Sequence, residues 1–186
     1  MKRTILVTIL AIFTTAAINA QKYYTKTGKI FFDATSSSSP EKIEATNRTA
    51  TCVVDVSSGA IQFAMLMKGF EFERALMQEH FNENYLESHK FPKAEFKGKI
   101  KDNHEIDYTK DGTYKAKVKG DLTIHGETKE VEAEGKFIVK GGKITAEADF
   151  SVKLSDFKIS IPGLVADKIA KTAKITVSCV LELLKS

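Results

Sequence analysis

The chain has 186 residues, of which 42% are hydrophobic and 28% charged, with a formal charge of +4 and only two cysteines. That size and balance suit one domain with a substantial core. Lysines are numerous but interleaved with acids, as in KVKGD (117–121) and KEVEAEGK (129–136), which describes a solvated surface and excludes a nucleic-acid patch.

The chain opens like an export signal. Lys2 and Arg3 form a positive end, residues 5–17 an apolar run, and Ala20 precedes an expected cut at Gln21. The run is roughly thirteen residues, short of the ~20 that a membrane-spanning helix needs. Charges interrupt every later apolar run, so the mature chain is expected to have no transmembrane segment. No cysteine follows the signal to carry a lipid anchor. The expectation is a soluble periplasmic or secreted protein: signal peptide over 1–20, then one domain over 21–186.

The first predicted strands cover residues 28–34, 48–56 and 60–68, with a turn at Ser58 and Gly59. Residues 36–40 form a low-complexity loop. Cys52 and, near the other end of the chain, Cys179 share strand faces with Val54, Val177 and Leu181. An oxidising compartment permits a disulfide, but bridging requires Cα atoms within about 7 Å. A Cys52–Cys179 bridge and two inert buried thiols both stay open.

A short helix is expected within residues 73–89. Met77, Phe81 and Tyr85 recur four apart as one stripe, with Glu79, Glu83 and Glu87 on the polar side. Pro92 forces Phe91 into an extended conformation and ends the helical region.

From Lys93 onward the chain alternates almost without error. Ala94, Phe96, Gly98 and Ile100 share one face, and further runs extend from Tyr114 to Ile124, Val131 to Val139 and Ile144 to Leu154. A last strand covers 173–183. Period two with one apolar face marks antiparallel, half-buried strands. The pairs Asp111 and Gly112, His125 and Gly126, and Gly141 and Gly142 suit tight hairpins. Eleven residues at ~3.3 Å span about 36 Å, well beyond the usual ~17–20 Å. Strands this long must bury one face somewhere, and closing the sheet on itself does so while removing its edges. The predicted fold is all-β: an elongated, antiparallel, lipocalin-like barrel of about eight strands with a short helix at one end.

Of the 21 inward positions on the four alternating runs, eight are Ala or Gly and none is charged. Small residues on several strands leave room for a long apolar ligand, since interiors are close-packed. They also permit the coiling that a closed barrel needs, and the helix could plug one end. Phe81 and Tyr85 are accordingly either a cover over that end or a gate along the ligand. Signals for chemistry are weak. Glu79, His80, Glu83 and Glu87 have partial metal spacing without HExxH, and there is no GxSxG, P-loop or GxGxxG. No metal, cofactor or catalytic residue is predicted, and the chain is read as a binding protein and not an enzyme.

Three motifs carry a resemblance. His80 and Phe81, Tyr85, Phe91 and Pro92, then Phe96 form one. Leu122-Thr123-Ile124-His125-Gly126-Glu127-Thr128 forms the second and most specific. Ser155-Asp156-Phe157-Lys158-Ile159 forms the third, with lysine where the pattern has glycine. From about residue 28 to 183 the chain resembles the YceI-like family of exported, lipid-binding barrels. The resemblance implies a polyisoprenoid or similar long-chain lipid in the barrel, for transport or storage. Its chain would lie against Phe63, Met65, Met67, Phe96, Leu122, Phe137 and Phe150, with Met77, Phe81 and Tyr85 near the helix. The polar head would sit near Arg74 or His80. The family also allows a homodimer. Two rivals remain: a structural or stress-protective envelope protein with a filled barrel, and an enzyme acting on an amphiphile.

Overall fold

A computed structural model of the chain describes residues 21–184. The predicted signal peptide lies outside the described residues. The strands are β1 (Lys22–Thr35), β2 (Glu44–Asp55), β3 (Ala60–Leu66), β4 (Phe70–Phe72), β5 (Lys93–Lys101), β6 (Gly112–Ile124), β7 (Glu127–Lys140), β8 (Lys143–Lys153) and β9 (Ile169–Leu183). All pairings are antiparallel, in the order β1-β9-β8-β7-β6-β5-β3-β2, and β1 returns to pair with β2. Eight strands therefore close a barrel. The ninth, β4, sits outside that ring on the first half of β2, opposite Ala45 to Asn47, while β3 holds the second half.

The alternation read from the sequence is the observed register. Lys117 pairs with Glu134, Lys119 with Glu130 and Lys136 with Glu147 across the outer face. These exposed pairs contribute little stability; they keep that face in water. Several ends differ from the sequence reading. β1 and β2 start earlier, at Lys22 and Glu44, and β9 at Ile169. The third strand stops at Leu66, because the chain leaves the barrel there and resumes pairing as β4. Asn47, fully buried, stitches that break. Its Nδ2 donates to the Leu66 carbonyl (2.8 Å), and its Oδ1 accepts from the Thr49 amide and hydroxyl (both 2.9 Å).

The expected hairpin at Asp111 and Gly112 is not formed. Residues 102–111 instead fold across the end of the barrel, where Ile106 is buried and Tyr108 packs edge-on against Phe137 (5.4 Å). The Tyr108 hydroxyl donates to Asn103 Oδ1 (2.8 Å), and Asn103 Nδ2 to the Val56 carbonyl (2.7 Å). Burying two apolar side chains over the barrel end outweighs a tight turn. By contrast, His125 and Gly126 do make the expected hairpin, with both φ values positive (52° and 76°), the mirror-image turn that matches strand twist.

The helical segment is shorter than 73–89. One α-helix, α1 (Ala75–His80), widens into a π-type turn over Phe81–Tyr85, with the Leu86 amide donating to the Phe81 carbonyl (2.9 Å). Phe81 is thereby driven inward against Phe72 (5.0 Å), Phe70 (5.4 Å) and Phe32 (5.8 Å).

Candidate functional site

Because the strands run up and down, the connections divide between two ends. Turns 56–59 and 141–142 and loop 102–111 lie at the far end. There Val54, Ile100, Val139, Ile144 and Leu181 are buried and, with Ile106, fill the section. Loop 36–43, α1 with its π turn, and residues 154–168 lie at the other end, the mouth.

Between mouth and floor the barrel is hollow. A cavity of about 100 Å³ runs through the middle, walled by Phe63, Met65, Phe96, Val118, Leu122, Phe137, Ala148 and Phe150 among others. Phe63 and Phe96 face each other across β3 and β5, edge to face at 6.4 Å. Phe96, Val118, Val131, Ala133 and Phe150 point inward yet are only half-buried, as an unfilled bore requires. A second chamber of about 320 Å³ opens at the mouth, between α1 with its π turn on one side and residues 159–169 on the other. Met65 and Ile175 line both chambers, so the two adjoin, one at the mouth and one in the bore.

Of the two roles the sequence left open for the inward glycines, close approach of the strands is the one their surroundings favour. A Cβ at Gly98 would lie 2.6 Å from the Lys119 carbonyl oxygen, at Gly120 2.3 Å from that of Lys97, and at Gly135 2.2 Å from that of Glu147. These positions let strands approach and coil. The void is left instead by alanines 133 and 148, which face it.

All the sequence-predicted wall residues border the cavity: Phe63, Met65, Phe96, Leu122, Phe137 and Phe150 in the bore, and Met67, Met77, Phe81 and Tyr85 with Met65 at the mouth. Arg74 and His80 are at the mouth too. Arg74 is not free there: its guanidinium pairs with the Glu41 carboxylate from loop 36–43, which spans the rim. Sequence reasoning missed Phe32, Phe70 and Phe72, although the alternation in FEF was visible. It also missed Ile159, Ile161 and Val165, whose loop carries no periodic signal.

His125 ties the mouth together. Its Nε2 faces Glu87 Oε2 (3.1 Å) and its Nδ1 faces the Phe157 carbonyl (3.0 Å), so both ring nitrogens lie within hydrogen-bond distance of an acceptor oxygen. The Lys90 ammonium, then His125, hold the Glu87 carboxyl below its ordinary range. Glu87, His125 and Lys158 all have positive φ (41°, 52° and 54°). Lys158 thus occupies the left-handed position where the family pattern has glycine, and its ammonium bonds Glu127 (2.6 Å).

Cys52 and Cys179 are buried free thiols, joined by a hydrogen bond and not by a bridge. They meet across β1, where the strand bulges at Gly28 and a Cβ would lie 2.7 Å from Cys179 Sγ. That hydrogen bond, with burial, pushes the Cys52 thiol up, while the same hydrogen bond draws the Cys179 thiol down. Among the described residues no cluster of His, Cys, Asp or Glu could hold a metal ion, and no helix is long and apolar enough to cross a membrane.

A closed antiparallel barrel, solid at one end and open through an apolar mouth at the other, defines a lipocalin-like container. The sequence matches the YceI-like domain across residues 14–181, and the chain belongs to that family. No curated protein matches it. Among solved structures it is similar to a polyisoprenoid binding domain from Saccharophagus degradans implicated in plant cell wall breakdown (TM-score 0.75, 10% identity, 89% of this chain and 99% of that one). It is also similar to Burkholderia cenocepacia BcnA (TM-score 0.66, 16% identity, 83% and 96%) and to the Campylobacter jejuni YCEI protein (TM-score 0.58, 19% identity, 78% and 87%). At these identities the likeness is one of fold.

Proposed function

We propose that this protein is an exported carrier that holds one long-chain amphiphile, of isoprenoid type, in its barrel for transport or storage in the periplasm. One observation carries the reading: an apolar chamber in the bore and a larger one at the mouth adjoin at Met65 and Ile175, in line for a single long ligand. The mouth chamber, about 320 Å³, falls within the ~300–1,000 Å³ of ligand pockets, and the bore chamber adjoins it. Burial of several hundred Å² of hydrocarbon at ~25 cal/mol per Å² supplies the drive, less the cost of ordering the chain. The description of the Saccharophagus degradans relative as polyisoprenoid binding supports the cargo class. Phe63, Met65, Phe96, Leu122, Phe137 and Phe150 would contact the tail, and Met67, Met77, Phe81 and Tyr85 the segment near the head. A polar head would meet His80 and Arg74, the latter exchanging its Glu41 partner for the ligand. A filled, purely structural barrel is disfavoured by the void itself.

The test is native mass spectrometry of protein purified from its own envelope, followed by organic extraction. A stoichiometric long-chain isoprenoid is the expected result. An empty protein whose melting temperature ignores added polyprenyl lipids would overturn the reading.

A further inference from the structure

Among the described residues sulfur is confined to two places that differ in access. Cys52 and Cys179 are sealed within the barrel, 0% exposed, and line neither chamber. The methionines gather at the mouth. Apart from Met1 the chain has Met65, Met67 and Met77, and all three line the mouth chamber. Met65 and Met77 are half-buried, whereas Met67 is buried. Met65 also borders the bore and is the one sulfur among the residues lining it, so it stands where the two chambers adjoin.

Flexible thioethers suit an irregular apolar wall, but their placement here has a chemical consequence. Ser39, Glu41, Arg74, His80 and Lys168 line the same mouth chamber. They give it a polar side along which small polar solutes approach the sulfurs. A hypohalous acid is such a solute. With a thioether it forms one S–O bond as its own O–Cl bond breaks. Sulfur gives up an electron pair, chlorine leaves as chloride, and the proton goes to water. The product, methionine sulfoxide, is polar and is returned to the thioether by sulfoxide reductases, which spend a dithiol and release water. Beside Met65 stand Phe63 on the same strand and Ala94 and Phe96 on β5, with Ile175 across the junction. None of these side chains donates a hydrogen bond, so a sulfoxide at this point is a polar group without a side-chain partner in an apolar passage.

We propose that Met65 and Met77 form a reversible oxidation site that sets the hold of the barrel on its contents. A hypohalous acid converts the two thioethers to sulfoxides, the passage between the chambers turns polar, and apolar occupants are released; reduction restores the hold. Met67, only 4% exposed, reacts last. As a control on cargo this role rests on the carrier reading, whereas the sensitivity of the chambers to oxidation does not.

The test treats delipidated protein with hypochlorous acid, locates added oxygen by peptide mass spectrometry, and titrates the apolar fluorophore N-phenyl-1-naphthylamine before and after. Oxygen should appear on Met77 and Met65 while both cysteines stay unmodified and unfolding stays cooperative. Affinity for the fluorophore should fall at least about tenfold and return after treatment with methionine sulfoxide reductases A and B. The Met65→Leu, Met77→Leu variant, of similar side-chain volume, should keep whatever affinity it starts with after the same oxidant. Several outcomes overturn the proposal: sulfurs that stay unoxidised until the protein unfolds, full affinity with both sulfoxides in place, a loss that the reductases do not reverse, or an equal loss in the leucine variant. Polyprenol titrated into the untreated protein checks the carrier reading separately. Absence of polyprenol binding beside an oxidation-sensitive fluorophore would strike that reading alone, and polyprenol binding that ignores the sulfoxides would strike this one alone.

Discussion

Filling the bore should stabilise the protein and abolish cargo binding at once. Ala133 on β7 points inward opposite Val118 and touches the void of about 100 Å³. An unfilled apolar cavity costs about 24 cal/mol per Å³, so this one costs the empty protein about 2.4 kcal/mol. Ala133→Leu adds three carbons, worth about 0.8 kcal/mol each when buried, again about 2.4 kcal/mol. The two estimates agree because the added group roughly matches the space. Allowing for imperfect fit, a gain of about 2 kcal/mol raises Tm by roughly 4–8 °C for a domain of this size. The assay is thermal unfolding of delipidated protein, paired with equilibrium binding of a polyprenol. The expected result is crossed, higher Tm and at least tenfold weaker binding, which an ordinarily damaging substitution does not produce. A lower Tm with unchanged affinity would refute both the void and the course assigned to the lipid.

Two further outcomes follow from the barrel wall and the mouth. Gly120→Ala puts a Cβ 2.3 Å from the Lys97 carbonyl oxygen, and urea unfolding should show a loss of about 3 kcal/mol, at the upper end for overpacking; a neutral effect would mean that the strands part easily there. The Glu87 carboxyl is held below its ordinary 4.5 by Lys90 and then His125. The stability it lends is complete above 4.5 and is lost as pH falls through the lowered value. Hydrogen exchange in residues 81–91 should therefore quicken as pH drops below about 4.5 after correction for intrinsic rates, and Glu87→Gln should exchange fast already at pH 7 with a flatter profile. An acid limb equally steep in that variant would remove Glu87 from the account.

The barrel was legible because its strands are long, one-faced and regular; from Lys93 to Leu154 the apolar positions read from the sequence are the inward ones. The cavity wall was legible for the same reason, since any large inward residue on those strands must border the bore. What escaped the sequence were features set by non-local packing. Period-two patterning could not reveal that the chain leaves the barrel after Leu66, because the contact that secures the break comes from the side chain of Asn47, nineteen residues earlier. Asp111 and Gly112 carried the local chemistry of a hairpin, yet Ile106 and Tyr108 draw that loop over the floor. The role of the inward glycines stayed open between empty space and barrel coiling, because composition shows the missing side chain but not the carbonyl that would strike it. The 159–166 wall has no periodicity at all, and only its position beside α1 shows what it encloses.

The floor built by Ile106, Tyr108 and the buried side chains around them turns the barrel into a ruler. A cargo that enters by one door and stops at a wall must fit the length of the corridor or leave its surplus outside. β6 has 13 residues, about 43 Å at ~3.3 Å each, or about 33 Å along an axis from which strands tilt by ~40°. The solid far end shortens that further. In the proposed carrier, tails up to this limit would disappear into the protein, and longer ones would have to fold back on themselves or trail from the mouth. Selection by length, and not by chemical detail along the chain, is the form of discrimination that such a blind corridor imposes.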